Sequence, residues 1–286
     1  MDRLGVKTDK GIIDVEKALT IEFDDSISSD IMDVIAGGKE AVGRLDSYIS
    51  RLDLNETLVI SEDAMDWGPC VPRPSKIICV GLNYRKHADE TNAPYPETPI
   101  LFNKFNNTLT GHHTDISLPK VSEKVDYEVE LGIVIGKDTK YIRKEDALDH
   151  VFGYFTANDL SARDLQFKST QWLLGKSCDD FSPIGPYLVT KDEVSNPNNL
   201  KLQTKVNGEI RQESNTSDMI FACDEIVSYI SQHMTLIPGD IILTGTPEGV
   251  IMGYPEEEQH YLKTGDEITV EIEKLGALTN RFVAEH

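Results

Sequence analysis

A β-rich mixed α/β fold in two parts is predicted by three observations. The stretch WGPCVPRPS, residues 67–75, holds three prolines in six positions. Proline removes a backbone donor and fixes φ, so this is a connector and not an element. Beyond it, short apolar or alternating runs recur between Gly, Asp and Asn turns, as strands do. Ahead of it lie one hairpin-like and one helix-like stretch, enough for a small α+β unit. The expected division is 1–72 for an N-terminal accessory domain and 73–286 for the main domain.

Residues 4–16, LGVKTDKGIIDVE, read as a hairpin around TDKG. Residues 30–52 read as a helix or two, interrupted at Gly37-Gly38. After the connector, IICVGL (77–82) and YEVELGIVI (127–135) are expected strands. KLQTKVNGEIRQE alternates about Asn207-Gly208, the strongest local hairpin signal. DEIVSYISQHM is an amphipathic helix with Asp224 as its expected N-cap. IPGDIILTG (237–245) and KTGDEITVEI (263–272) are similar units, each a Gly-Asp turn entering a strand.

Composition narrows the function classes. Forty-nine Asp and Glu against 28 Lys and Arg give a net charge of −21, a field that repels nucleic acid and anionic membranes. It also repels small anionic substrates, unless cations or a metal reverse the sign locally. No apolar run approaches the roughly 18 residues of a membrane span. MDRLGVKTDKG lacks a secretory apolar stretch, and Cys70, Cys79, Cys178 and Cys223 show no CxxC or framework spacing. Reduced thiols in a cytoplasmic protein are expected.

Candidate chemistry begins in VDYEVELGIVIGK, residues 125–137. At a strand's period of two, Asp126, Glu128 and Glu130 share a face that continues as Gly132, Val134 and Gly136. Neighbouring acids about 6.6 Å apart repel by roughly 2.5 kcal/mol at an effective dielectric near 20. Water on an exposed face screens that repulsion; a hard divalent cation such as Mg²⁺ or Mn²⁺ removes it by taking the oxygens as ligands. Asp159, between a hydrophobic strand and a helix in FGYFTANDLSARDLQ (152–166), is the best third carboxylate. Asp164, beside Arg163, reads as half of a helix-face ion pair. In GLNYRKHADE (81–90), Asn83 is a candidate cap that places His87 and Glu90 at i, i+3, a carboxylate raising the basicity of an imidazole. The same helix also allows solvated Arg85–Asp89 and Lys86–Glu90 pairs. In LTGTPEGV (243–250), Gly245, Thr246 and Gly249 form either an oxyanion-binding loop or only a tight turn.

Taken in order, NYRKHADE, DYEVELGIVIGK, GYFTANDLSARDLQ, GKSCDDFSPIGP, VNGEIRQESNTSDMIF and IPGDIILTGTPEGV resemble the fumarylacetoacetate hydrolase (FAH) superfamily. The resemblance covers about residues 75–286, and is nearest to the acylpyruvate hydrolases, oxaloacetate decarboxylases and hydroxymuconate or heptadienedioate isomerases. It implies a mixed β-sheet roll as catalytic domain, generally dimeric, with Mg²⁺ or Mn²⁺ held by Glu128, Glu130 and Asp159. It implies a catalytic His87–Glu90 pair with Lys176, and substrate contacts at Arg163, Gln166 and Thr246. Asp126 is not a ligand in that pattern and is expected near solvent. Phe105 departs from the proline that relatives often carry after the lysine, here Lys104. His112 and His113 are adjacent and expected at the surface.

The implied activity is C–C hydrolysis of acylpyruvate-type 1,3-diketo acids through a metal-stabilised pyruvate enolate, with a small anionic keto acid as the partner molecule. Decarboxylation of oxaloacetate and isomerisation of a dienol acid use the same electron sink and stand as alternatives. So, more distantly, does a family member without turnover. A Mg²⁺-dependent phosphoryl-transfer enzyme is disfavoured by the lack of a P-loop.

Overall fold

The computed structural model describes residues 3–53 and 58–285. The chain divides into two compact units, Met1–Trp67 and Gly68–His286. In the first, Gly5–Thr8 and Gly11–Asp14 pair antiparallel as the TDKG signal predicts, with Val59–Ile60 as a third strand. Asp14 caps the helix Val15–Ile21 by accepting from Lys17 N. The helix Ile31–Arg51 is broken internally at Gly38, whose φ of 57° and ψ of −144° are not helical. Ile13, Ile35 and Tyr48 form the buried centre of this unit.

The second unit is built on two larger sheets, confirming a β-rich mixed α/β architecture. Six strands run in the order Val189–Thr190, Val151–Asn158, Val129–Ile135, Ile241–Leu243, Ile77–Gly81 and Ile100–Lys104. Five run in the order Glu209–Asn215, Lys201–Val206, Glu267–Ile272, Gly276–Ala284 and Asp115–Leu118. Every residue of Ile77–Gly81, Val129–Ile135 and Val151–Asn158 is buried, which explains why they read as continuous apolar runs. Gly132 lets strand 129–135 lie flush on its neighbour: a Cβ there would meet the Phe155 ring at 2.2 Å.

The two Gly-Asp units fold alike. Asp240 accepts from Ile237 N at 2.8 Å and Asp266 from Lys263 N at 2.9 Å, each closing its turn before the strand. The Asn207-Gly208 hairpin forms between Lys201–Val206 and Glu209–Asn215.

Two expected caps are corrected. The helix Cys223–His233 starts after Ala222, and Asp224 lies in its first turn. The cap comes from outside: Asn198 Oδ1 accepts from Cys223 N at 2.9 Å. The helix Arg85–Glu90 starts after Tyr84, not Asn83. Asn83 is fully buried, donating to Phe221 O and Thr244 O and accepting from Phe221 N, so it joins three segments instead of capping one. In both cases a distant partner competes successfully for a side chain that local spacing assigns to a helix end.

The acidic strand is also interrupted. Val125–Asp126 pairs with Ser161–Ala162, whereas Val129–Ile135 belongs to the six-stranded sheet. Between them, side chains replace the ladder: Glu128 N donates to Asn158 Oδ1 at 2.9 Å and Val129 N to Gln212 Oε1 at 3.1 Å. Asp159 N donates to Glu128 O at 2.9 Å, bringing the end of strand 151–158 beside the first two acids.

Candidate active site

At this break, Glu128, Glu130 and Asp159 converge. Each offers an oxygen within 4.8 Å of the others, and all three are buried. An octahedral Mg²⁺ with bonds near 2.1 Å has edges of about 3 Å and diagonals of about 4.2 Å, so small side-chain movements would complete the set. Three hard, buried carboxylate oxygens suit Mg²⁺ or Mn²⁺ and not a thiophilic metal.

Cations surround the acids unevenly. Lys176 Nζ lies 2.8 Å from Glu128 Oε2 and 2.8 Å from Asp159 Oδ2. Lys104 Nζ donates to Asp159 Oδ1 at 2.5 Å and to Phe181 O at 2.6 Å. Arg163 reaches Glu128 through Nη2 at 2.7 Å, Asp126 through Nε at 2.9 Å and Gln166 through Nη1 at 3.0 Å. Glu130 forms no ion pair among the described residues; its Oε2 accepts from Gly245 N at 2.8 Å.

This asymmetry separates the two glutamates. Burial would raise the Glu128 carboxyl, but the charges of Lys176 and Arg163 overcome it and bring it down to about 2. Burial, followed by repulsion from Asp159 and Glu128, holds Glu130 well above the usual carboxylate range. Burial opposes the charge on Lys176, yet Asp159 and Glu128 raise its pKa above that of a free lysine.

A pH dependence follows. If Glu130 is a ligand, the metal must displace its proton, so Mn²⁺ should bind more tightly as pH rises, until Glu130 ionises without help. For the metal-free protein the sign is opposite. A carboxyl raised in the folded state stabilises fully below its unfolded pKa, and that contribution is lost as pH rises through the folded value. Melting curves should therefore show a Mn²⁺-induced increment that grows over this interval; a constant increment would contradict the assignment.

Two sequence readings are corrected here. Asp126 is not near solvent: it is fully buried and accepts from Arg163 Nε, Ile251 N, Met252 N and Tyr127 N. Its strand leaves the main sheet at Tyr127, so the wet-face pattern does not carry through. Asp164 does not pair with Arg163. It accepts from Ser122 Oγ and Glu123 N, while Arg163 turns inward to carboxylates with less access to water.

His87 and Glu90 meet as expected, Nδ1 to Oε1 at 2.7 Å. The alternative helix-face pairs do not form. Arg85 donates to Asp218 O and Met219 O, Lys86 reaches Glu248, and Asp89 accepts from Tyr95. Glu90 Oε2 accepts instead from Gly249 N at 2.9 Å. One loop thus holds both clusters, Gly245 N on Glu130 and Gly249 N on Glu90. Gly249 is needed at its end, because a Cβ would sit 2.2 Å from Arg211 O on strand 209–215. Thr246, buried within the loop, accepts from Gln212 Nε2 at 3.0 Å.

His112 is half-buried and accepts from Thr279 N, and His113 is exposed. Both lie apart from the contacts just described. Lys104 and Gln212 join the site without a signal in the sequence. Lys104 alternates on an edge strand like any solvated lysine, and Gln212 sits in a hairpin arm. Only the burial of both polar ends distinguishes them.

The fold and this acid cluster define the class: the chain belongs to the fumarylacetoacetate hydrolase family, whose profile for the fumarylacetoacetate (FAA) hydrolase C-terminal region matches residues 76–283. Within it, the chain is 43% identical over 275 residues to the oxaloacetate tautomerase FAHD2A, mitochondrial, of Bos taurus, covering 96% of this chain and 84% of the relative. Among solved structures, a fumarylacetoacetate hydrolase of Exiguobacterium antarcticum is 34% identical with a TM-score of 0.81, covering 99% of this chain and 95% of that one. A fumarylpyruvate hydrolase of Pseudomonas aeruginosa in complex with Mn²⁺ and pyruvate is 33% identical with a TM-score of 0.68, covering 74% and 91%. Among the described residues, no helix is long and apolar enough to cross a membrane.

Proposed function

We propose that this protein is a divalent-metal-dependent enzyme that moves a proton on the enol form of a small anionic 2-oxo acid, with oxaloacetate as its substrate. The observation carrying this reading is the loop that fastens the His87–Glu90 pair and the carboxylate triad together. The choice of oxaloacetate is supported by the bovine relative's name and by coverage of most of both chains. Glu128, Glu130 and Asp159 would hold Mg²⁺ or Mn²⁺. When bound, that ion supplies Lewis acidity toward the oxygens of a 2-oxo acid.

The chain's own groups supply the rest. Glu90 accepts from Nδ1 of His87, which leaves Nε2 as the atom that takes a proton from C3 of the keto form or returns it to the enol. The proton arrives at or leaves the C2 oxygen, so keto and enol forms interconvert without loss of atoms. Thr246, Gln166 and Arg163 are assigned to the substrate's anionic end, with Lys176 supplying positive charge against the surrounding −21 field.

A second reading, hydrolysis of an acylpyruvate, is favoured by the 2.7 Å His87–Glu90 contact, since an imidazole backed by a carboxylate suits water deprotonation. Water would then attack the distal carbonyl, and cleavage of the C–C bond would yield pyruvate and a carboxylic acid. Decarboxylation would share the triad and leave His87 with less to do. A homodimer, an accessory role for residues 1–72 and cytoplasmic residence belong to the same proposal.

The deciding experiment runs two substrates side by side with Mn²⁺, with Mg²⁺ and with chelator. Loss of the oxaloacetate enol absorbance without CO₂ release is the expected result, with acetylpyruvate cleaved more slowly. Faster acetylpyruvate cleavage would select the hydrolytic reading. Activity that survives full chelation would overturn both.

A further inference from the structure

Gln212 is a tightly constrained uncharged side chain beside the site. It is 1% exposed, and both ends of its amide are fixed by groups whose hydrogen-bonding roles are not negotiable. Oε1 faces the backbone N–H of Val129 at 3.1 Å and the Thr204 hydroxyl at 2.7 Å. Nε2 faces the carbonyl oxygens of Pro247 at 2.9 Å and Glu248 at 3.4 Å. A backbone N–H can only donate and a carbonyl can only accept, so the amide has one possible orientation. Nε2 also lies 3.0 Å from Thr246 Oγ1, and it must be the donor there.

The consequence falls on Thr246. Its hydroxyl oxygen already accepts, so its own proton is directed elsewhere. Among the described residues no acceptor takes that proton, although Thr246 is 3% exposed. The neighbouring residue, Gly245, is bonded to Glu130 of the triad. We propose that Gln212 is a positioning residue: by donating to Thr246 Oγ1 it forces the hydroxyl to present its proton to an anionic oxygen of the bound 2-oxo acid. With Nε2 donating to Pro247 O and to Thr246 Oγ1, the hydroxyl cannot turn its proton toward Gln212. This inference rests on the reading of Thr246 as a substrate contact.

The test is a double-mutant cycle on the Mn²⁺-loaded protein, with pyruvate affinity as the first readout and KM and kcat for oxaloacetate as the second. Thr246→Val deletes the hydroxyl and should weaken pyruvate by about tenfold, the weight of a hydrogen bond to a charged acceptor. Gln212→Glu replaces the donor by an acceptor, so Thr246 should turn its proton toward the new carboxylate. The expected loss is again about tenfold or more, chiefly in KM, and largely absent when valine already stands at 246. Gln212→Met, which keeps volume without charge, should show the same coupling if the glutamate variant folds poorly.

Mn²⁺ affinity separates positioning from scaffolding, because Gln212 also touches Val129 between two triad residues. Coupling to Thr246 with unchanged Mn²⁺ affinity supports the proposal. Gln212 losses that add fully to those of Thr246→Val, or that follow a loss of Mn²⁺, overturn it while leaving Thr246 a substrate contact. No effect of Thr246→Val on pyruvate would overturn both.

Discussion

Glu130→Gln should abolish Mn²⁺ binding and leave the metal-free fold as stable as the parent, whereas Glu128→Gln should lose both metal and stability. The contrast comes from their partners. Among the described residues Glu130 has no ion-pair partner, and burial and neighbouring acids hold its carboxyl well above the usual range, so a neutral amide of equal shape replaces it without exposing a charge. Its stability change should stay within about 1 kcal/mol. Glu128 neutralises Lys176 and Arg163, which would each be left with a single carboxylate, Asp159 and Asp126 respectively. Breaking a buried pair costs about 3 kcal/mol even when part of the network survives. For the metal, loss of a direct ligand should exceed the 10–100-fold typical of outer-shell changes, so both variants should fall by more than about 100-fold. Calorimetric Mn²⁺ titration and thermal melts in chelator measure the two effects separately. A Glu130→Gln protein that still binds Mn²⁺ like the parent would remove Glu130 from the ligand set.

His87→Ala should reduce turnover by about 10²- to 10⁴-fold, the usual contribution of a positioned general base. Mn²⁺ affinity should not change, because His87 makes its hydrogen bond to Glu90 and not to the triad. Glu90→Gln should move turnover the same way by a smaller factor, since an amide has one oxygen and cannot accept from both His87 Nδ1 and Gly249 N as the two carboxylate oxygens do. Parent-like turnover in His87→Ala would exclude the imidazole from proton transfer under either substrate reading.

How much of this was legible in sequence depended on how local the governing interaction was. The Asn207-Gly208 hairpin, the paired Gly-Asp turns and the interruption near Gly37-Gly38 are set by neighbours a few residues away, and they stand where the pattern put them. The acid strand was half legible. Period two correctly grouped Glu128 with Glu130, but it could not show that the ladder stops at Tyr127 and that Asn158 and Gln212 take over its hydrogen bonds. Asp126, expected near solvent, is buried for that reason. Lys104 lies 55 residues before its partner Asp159, and Gln212 lies 34 before Thr246. Neither separation leaves any trace in a window the length of a strand. Asn83 and Asp224 show the complementary error: both are good caps by type, but tertiary partners decided their use.

The loop from Gly245 to Gly249 acts as a fixed gauge between two instruments. Three residues, one of them a proline with locked φ, set the spacing between the carboxylate that would meet the cation and the one that steers the imidazole. Under the proposed function, that spacing would set which carbon, counted from a chelating end, comes within reach of His87. Substrates that differ only beyond that carbon are equivalent as far as the gauge is concerned. Choice among them would fall to surfaces elsewhere. A single residue inserted between Gly245 and Gly249 would lengthen the gauge by up to about 3.5 Å and detach proton transfer from the cation without altering either group.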